Sequence, residues 1–188
     1  LRTGGNNVKN AIKEFLQSLV IAGILAFFII TFVAQSFVVD GRSMANTLQD
    51  GERLFVNKFI YRFHPPERGD IIVFTPDGAP DKKYIKRVIG IPGDTVYVKD
   101  GTTYINGEAI KENYLPEKMI GDFGPYEVPQ KSVFVLGDNR NHSADSRFSS
   151  IVGFVEYEDI SGKAFWVYWP LTEMRVIDHQ NYNLSFEN

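Results

Sequence analysis

A serine becomes a nucleophile near neutral pH only when a neighbouring base takes its proton. Ser43 stands in the stretch GRSMANTL, Gly41 to Leu48, directly after a long apolar run. The G-x-S-x-G of a nucleophile elbow is absent, so the local pattern names no partner for it. Acyl transfer through an ester on Ser43 is the chemistry such a residue could perform. A serine that merely caps the turn where the chain leaves the apolar run fits the same spacing.

Histidine is the usual base, and the chain has three. His64 lies in the Pro-rich RFHPPERG and His179 in the polar tail, so both read as exposed surface residues. His142 is flanked by Asp138 and Asp145 in GDNRNHSADSR, which leaves a Ser-His-Asp triad open. A lysine can serve instead if burial disfavours its charged form. In YIKRVIG, strand alternation puts Tyr84, Lys86 and Val88 on one face and Ile85, Arg87 and Ile89 on the other. Lys86 therefore has aromatic and aliphatic neighbours, although a solvated strand lysine fits this motif equally well. No cysteine is present, which excludes disulfides, thiolate metal sites and a cysteine nucleophile. Arg140 stands where an EF-hand loop needs its third-position ligand, so GDNRNHSAD is not read as a calcium site, and no metal is expected.

These groups need a scaffold. Residues 15–39 carry no charge over 25 positions, a run about 37 Å long as a helix against a bilayer core of roughly 30 Å. Arg2, Lys9 and Lys13 precede it, so the positive-inside rule places the amino terminus in the cytoplasm and the rest across the membrane. A buried core helix would be shorter or carry a polar stripe. A cleaved secretory signal is the more serious competitor, since Ala34, Gln35 and Ser36 have a processing-site spacing, but its apolar region would span only about 7–15 residues. The expected organisation is a cytoplasmic segment at 1–14, a transmembrane anchor at 15–36 and an extracytoplasmic β domain at 37–178. A small irregular lobe is expected near 92–132 and a polar tail at 179–188.

Past Asp40 the pattern is mostly period 2, as strands require. RLFVNKF, DIIVF, KYIKRVIG, SVFVLGD, GFVEYE and GKAFWVYWPL read as strands, and TVYVKDGTTYING as a hairpin turning at Asp-Gly. From Lys111 to Gln130 the chain is polar and rich in Pro and Gly, as in a surface loop. No amphipathic helix or repeat follows the apolar run. The fold class is thus mainly β, an antiparallel β-sheet catalytic domain behind a single N-terminal transmembrane helix. Trp166 and Trp169 share one strand, where they could pack in the core or rest on lipid headgroups. A net charge of −3 and the absence of a basic stripe argue against a nucleic-acid partner.

Three segments in this order, GRSMANTL after the anchor, then YIKRVIGIPGD, then GDNRNHSADSR, resemble the type I signal peptidases (leader peptidases). The resemblance runs from the anchor to GKAFWVYWPL. It implies a cofactor-free serine-lysine dyad protease of the bacterial cytoplasmic membrane, with Ser43 as nucleophile and Lys86 as general base. It further implies that Ser143 orients the lysine amine, that Asp138 pairs with Arg87, and that Asp145 pairs with Arg147. His142 becomes a bystander. Phe37, Val39, Met44, Leu48, Tyr84 and Ile85 correspond to the walls of shallow pockets that accept small residues at −1 and −3 of secretory preproteins. For these six, ordinary core packing is the competing account.

The sequence departs from the family pattern at two points. Asn46 replaces the proline of S-M-x-P-T-L, which implies a less constrained turn after Ser43. Gly41 offers no side chain where some members carry an oxyanion-stabilising hydroxyl, leaving the Ser43 N–H as a donor and the second donor open. Two other readings stand beside the peptidase. A self-cleaving protease of the SOS-repressor type shares Ser-Lys chemistry but lacks an anchor. A catalytically weakened or silent relative would bind preproteins or partner proteins without cutting them.

Overall fold

The computed structural model describes residues 4–32, 34–182 and 184–185. Arg2 of the orientation argument, residue 33 of the expected anchor and residues 183 and 186–188 of the expected tail lie outside these. The chain divides into two units, 1–35 and 36–188. In the first, α1 (Gly4–Phe32) is a single helix whose Phe15, Leu16, Leu19 and Val20 side chains are exposed. Among the described residues no helix is long and apolar enough to cross a membrane, so α1 does not by itself carry the expected span.

The second unit is built from strands. In chain order they are β1 (Ala34–Val38), β2 (Arg53–Asn57), β3 (Ile71–Phe74), β4 (Tyr84–Gly90), β5 (Thr95–Lys99) and β6 (Thr102–Ile105). Then come β7 (Glu108–Ala109), β8 (Phe123–Glu127), β9 (Ser132–Leu136), β10 (Val155–Glu156), β11 (Ile160–Trp169) and β12 (Arg175–Val176). The larger sheet runs β1-β2-β11-β3-β4-β9-β10, with β12 also on β11. The smaller sheet runs β7-β6-β5-β8, and every strand pair with a described register is antiparallel.

Position within the larger sheet explains the burial of β4. It lies between β3 and β9, pairing Lys86 with Ile72 and Arg87 with Leu136. Apolar clusters cover both of its faces: Ile71 and Val73 belong to one, Ile72, Phe74 and Val88 to another. Lys86 and Arg87, which alternation assigns to opposite faces, are therefore both buried, at 3% and 1% exposure.

The lobe expected to be irregular is instead the four-stranded smaller sheet. Asp100 (φ +50°) and Gly101 (φ +74°) form the two-residue turn that joins β5 to β6, the left-handed pair a tight hairpin requires. Polar Lys111–Gln130 hides a strand, β8, which pairs Val96 with Tyr126 and lays Tyr126 on Phe134 at 5.0 Å. The tryptophans divide: Trp166 is half-buried against Phe55 and Trp169 is exposed.

The tail also departs from expectation. Within it Leu184 is buried in the apolar cluster with Ile89, and just before it Ile177 is buried in another. The Ile71 N–H donates to His179 Nδ1 at 3.3 Å, so His179 is fixed on the domain. A methyl group on Gly69 would sit 1.8 Å from the Gln180 carbonyl oxygen, so only a glycine permits the tail to lie so close. Ile177 and Leu184, with six polar or aromatic residues between them, leave no periodic signal in the sequence.

Candidate active site

Ser43 is set by a compact turn between β1 and β2. The Ala45 N–H donates to the Arg42 carbonyl at 3.1 Å, and the Met44 carbonyl accepts from both Thr47 (3.0 Å) and Leu48 (2.8 Å). Met44 and Leu48 anchor the turn by full burial, while Ser43, just before Met44, stays half-exposed. Asn46 takes φ +78°, which asparagine tolerates and proline, fixed near −65°, cannot adopt. The expectation of a merely looser turn is thus corrected: the turn at this position takes a conformation that proline does not allow.

Lys86 reaches Ser43 from β4. Its Nζ donates to Ser43 Oγ at 2.8 Å and to the Ile85 carbonyl at 2.9 Å. It also lies 5.2 Å from the centre of the Tyr84 ring. Burial draws its ammonium down to about 8, against the opposing pull of Asp145 and then Asp138. A lysine amine drawn toward its neutral form, at hydrogen-bond distance from a hydroxyl, is an arrangement that a nucleophile and its general base require.

Two buried ion pairs stand behind this couple. Arg87 grips Asp138 with two hydrogen bonds, Nε to Oδ1 at 3.0 Å and Nη2 to Oδ2 at 2.8 Å. Thr47 Oγ1 donates to the same Asp138 Oδ2, tying the nucleophile turn to the pair. Arg147 holds Asp145 through Nε at 2.7 Å and Nη2 at 2.9 Å, and the Gly137 N–H donates to Asp145 Oδ2 at 3.0 Å. The loop of GDNRNHSADSR also touches the nucleophile turn directly. The Asn139 N–H donates to the Ser43 carbonyl at 3.0 Å, and Asn139 Nδ2 to that of Arg42 at 3.0 Å.

Ser143 lies over Gly137, where a methyl group would meet Ser143 Oγ at 2.2 Å and the Ser43 carbonyl oxygen at 2.5 Å. Its Oγ is buried and makes no hydrogen bond among the described residues. As an ammonium, Lys86 has three donors and two are engaged, so the orphan hydroxyl and the spare donor are complementary.

A cleft of about 500 Å³ opens at the couple. Of the expected pocket residues, Val39, Met44, Tyr84 and Ile85 line it, joined by Val38, Asp40, Lys82, Lys83 and Ala144. Phe37 and Leu48 do not line it. Leu48 is fully buried in the apolar cluster with Met44 and Val39, and Phe37 packs against that cluster. His142 is exposed and does not line the cleft, and His64 is exposed in its turn. Among the described residues no group of three or more His, Cys, Asp or Glu side chains is placed to hold a metal.

Sequence reasoning missed Thr47, Asn139 and Ala144. All three lie inside the quoted motifs, and Thr47 and Asn139 act through hydrogen bonds that residue type alone does not announce.

The family described as signal peptidase, peptidase S26, matches residues 12–169. Signal peptidase I of Bacillus licheniformis is 41% identical over 92% of this chain and 96% of its own. Signal peptidase I S of Bacillus subtilis (strain 168) is 40% identical over 89% of this chain and 94% of its own. A crystal structure of a signal peptidase I from Enterococcus faecalis V583 is 38% identical, with a TM-score of 0.46, covering 52% of this chain and 95% of that one. With a matching family that spans both the nucleophile turn and the lysine strand, the chain belongs to the S26 signal peptidases, a family of serine endopeptidases.

Proposed function

We propose that this protein removes signal peptides from secretory preproteins, cutting after small residues at −1 and −3 through Ser43 and Lys86. The observation that carries the reading is the 2.8 Å contact between Lys86 Nζ and Ser43 Oγ at the base of an open cleft. Neutral Lys86 takes the Ser43 proton, and the alkoxide attacks the scissile carbonyl. The ammonium so formed protonates the leaving amine, the mature amino terminus departs, and an ester to Ser43 remains. Lys86, neutral again, then activates water to hydrolyse the ester. When neutral Lys86 turns its lone pair to Ser43, one N–H goes to the Ile85 carbonyl and the unpartnered Ser143 Oγ is available to accept the other, and the Ser43 N–H is available to the developing oxyanion.

Substrate shape follows from the cleft walls. Val39, Met44 and Ile85 present apolar surface close to the couple, which favours an alanine side chain and excludes larger ones. β1 ends the order of the larger sheet, so an extended peptide can add beside it as a further strand.

Anchoring to the bacterial cytoplasmic membrane, with the catalytic unit outside, belongs to the same proposal. It rests on the uncharged run at 15–39, the basic residues before it and the exposed apolar side chains of α1. Carbonate extraction of a membrane fraction reads this directly: the anchor predicts that the protein stays with the pellet.

Detergent-solubilised protein incubated with a precursor bearing an Ala-x-Ala site tests the chemistry. The expected product is shortened at that junction, and Ser43→Ala yields none. Equal cleavage by Ser43→Ala refutes the assignment, and an intact precursor under conditions where a bacterial signal peptidase cuts it refutes the activity.

A further inference from the structure

Behind the catalytic couple, the C-terminal segment closes onto the same guanidinium that holds Asp138. Arg87 Nη1 donates to the Gly69 carbonyl at 2.9 Å and to the Asp178 carbonyl at 3.5 Å, so one tail peptide reaches the ion pair itself. The Arg87 guanidinium carbon lies 4.2 Å from the centre of the Tyr114 ring. Beyond that ring the tail returns: Tyr182 and Tyr114 bring their hydroxyls to 3.0 Å.

Donor counting gives this contact a direction. The Tyr114 hydroxyl has one proton and donates it to Glu112 Oε1 at 2.7 Å. It must then accept at the contact with Tyr182, and it also accepts from Arg140 Nη2 at 3.3 Å. Burial holds both phenols protonated, so Tyr182 supplies the proton in this bond. Glu112 is the ion-pair partner of Arg140, whose Nε donates to the Gly137 carbonyl at 3.0 Å and whose Nη1 donates to Thr103 Oγ1 at 2.9 Å.

Tyr182 thus ends a chain of contacts that runs through Tyr114 in two directions. One reaches Arg87 and Asp138, and through Thr47 the nucleophile turn. The other reaches Arg140 and Gly137, on which Ser143 rests. Leu184 and Ser185 fix the far side of Tyr182, the first in the apolar cluster with Ile89 and the second on the Glu108 carboxylate.

We propose that the C-terminal segment from Asp178 to Tyr182 is a strap that positions the catalytic couple, with Tyr182 as its positioning residue. This rests on the reading of Ser43 and Lys86 as nucleophile and base. Tyr182 touches neither substrate nor reacting atoms. It keeps water from Arg87 and holds the guanidinium square on Asp138. When the strap is lost, water enters and Asp138 is less completely neutralised. Both changes favour the Lys86 ammonium. Asp145 and Asp138 on the motif loop act on Lys86; the other charged or titratable groups around it are Arg87 and Tyr84 on β4 and Asp40, Lys82 and Lys83 at the cleft.

The experiment compares wild type with Tyr182→Ala, Tyr182→Phe and Ser43→Ala in the full detergent-solubilised chain. The first readout is precursor cleavage against pH, with kcat scaled to active sites titrated by an acylating inhibitor. The second needs no turnover: a ¹³C-methylated Lys86 amine is titrated by NMR, its resonance assigned with Lys86→Met. The strap predicts that Tyr182→Phe lowers kcat at pH 7 roughly fivefold, the fold-change of one ordinary hydrogen bond. Tyr182→Ala lowers it further with KM changed less than twofold, and the acid limb and the Lys86 titration both move to higher pH.

A purely structural tail lowers the number of titrated sites and moves neither curve, and that result overturns the proposal. Where Tyr182→Ala does not fold, the Tyr182→Phe comparison decides alone. Cleavage that survives Ser43→Ala sinks the nucleophile reading, whereas the NMR titration judges the strap whether or not it does.

Discussion

Replacing Lys86 by methionine should make the protein more stable at neutral pH while abolishing its activity. Lys86 is 3% exposed, and burial draws its ammonium from 10.5 to about 8. A folded-state value below the unfolded one means that the native state prefers the neutral amine. Between about pH 8 and 10.5 the unfolded chain binds a proton that the native chain has released, so stability rises with pH across that window. Below it the penalty is at full size, about 3 kcal/mol at roughly 1.4 kcal/mol per pH unit.

Denaturant titrations of wild type and Lys86→Met at pH 7, 8, 9 and 10 isolate this residue, because the other titrating groups are common to both. The wild type should gain about 2 to 3 kcal/mol on the variant between pH 7 and 10. The same group should appear in catalysis as an acid limb of kcat/KM near 8, with about a tenth of the enzyme in the active form at pH 7. Parallel stability curves would refute the buried, readily deprotonated lysine. An acid limb near 6.5 would point to a histidine base instead.

Other consequences are as direct. Asn46→Pro should destabilise the fold by about 3 kcal/mol, because φ +78° lies outside the proline range, while Asn46→Gly should be nearly neutral; both are read from denaturation midpoints. Gly137→Ala drives a methyl group into Ser143 Oγ and the Ser43 carbonyl and should lower kcat about 100-fold in the precursor assay, the scale of an ångström's displacement. Asp138→Ala leaves Arg87 buried and unpaired and should cost about 3–5 kcal/mol in urea unfolding, with Asp138→Asn recovering part of it.

Much of the β unit was legible because its signals are local. Alternation in YIKRVIG marks β4, and Asp-Gly marks the β5–β6 turn through its two left-handed residues. What stayed ambiguous was decided by partners far away in the chain. Alternation states that Lys86 and Arg87 face opposite ways, but not that apolar clusters built from β3 and β9 cover both faces. A solvated strand lysine and a buried base look alike until the strand order is known. The same holds for Leu48, which has the residue type of a pocket wall yet is spent wholly in the core. The tail was misread because its burial depends on Gly69, over a hundred residues earlier, leaving room for Gln180.

The two ion pairs bear on whether Lys86 can serve as the base proposed above. Asp145 and Asp138 each act to keep Lys86 charged, and an unpaired carboxylate in so dry a setting would win. Neither is unpaired. Arg147 and the Gly137 N–H occupy both oxygens of Asp145, while Arg87 and Thr47 occupy those of Asp138. Each guanidinium offsets the carboxylate at closer range than the lysine can, so desolvation remains the larger influence on Lys86. The pairs thus do more than brace the loop: by neutralising the acids that shape the site, they leave burial free to draw Lys86 toward its neutral form.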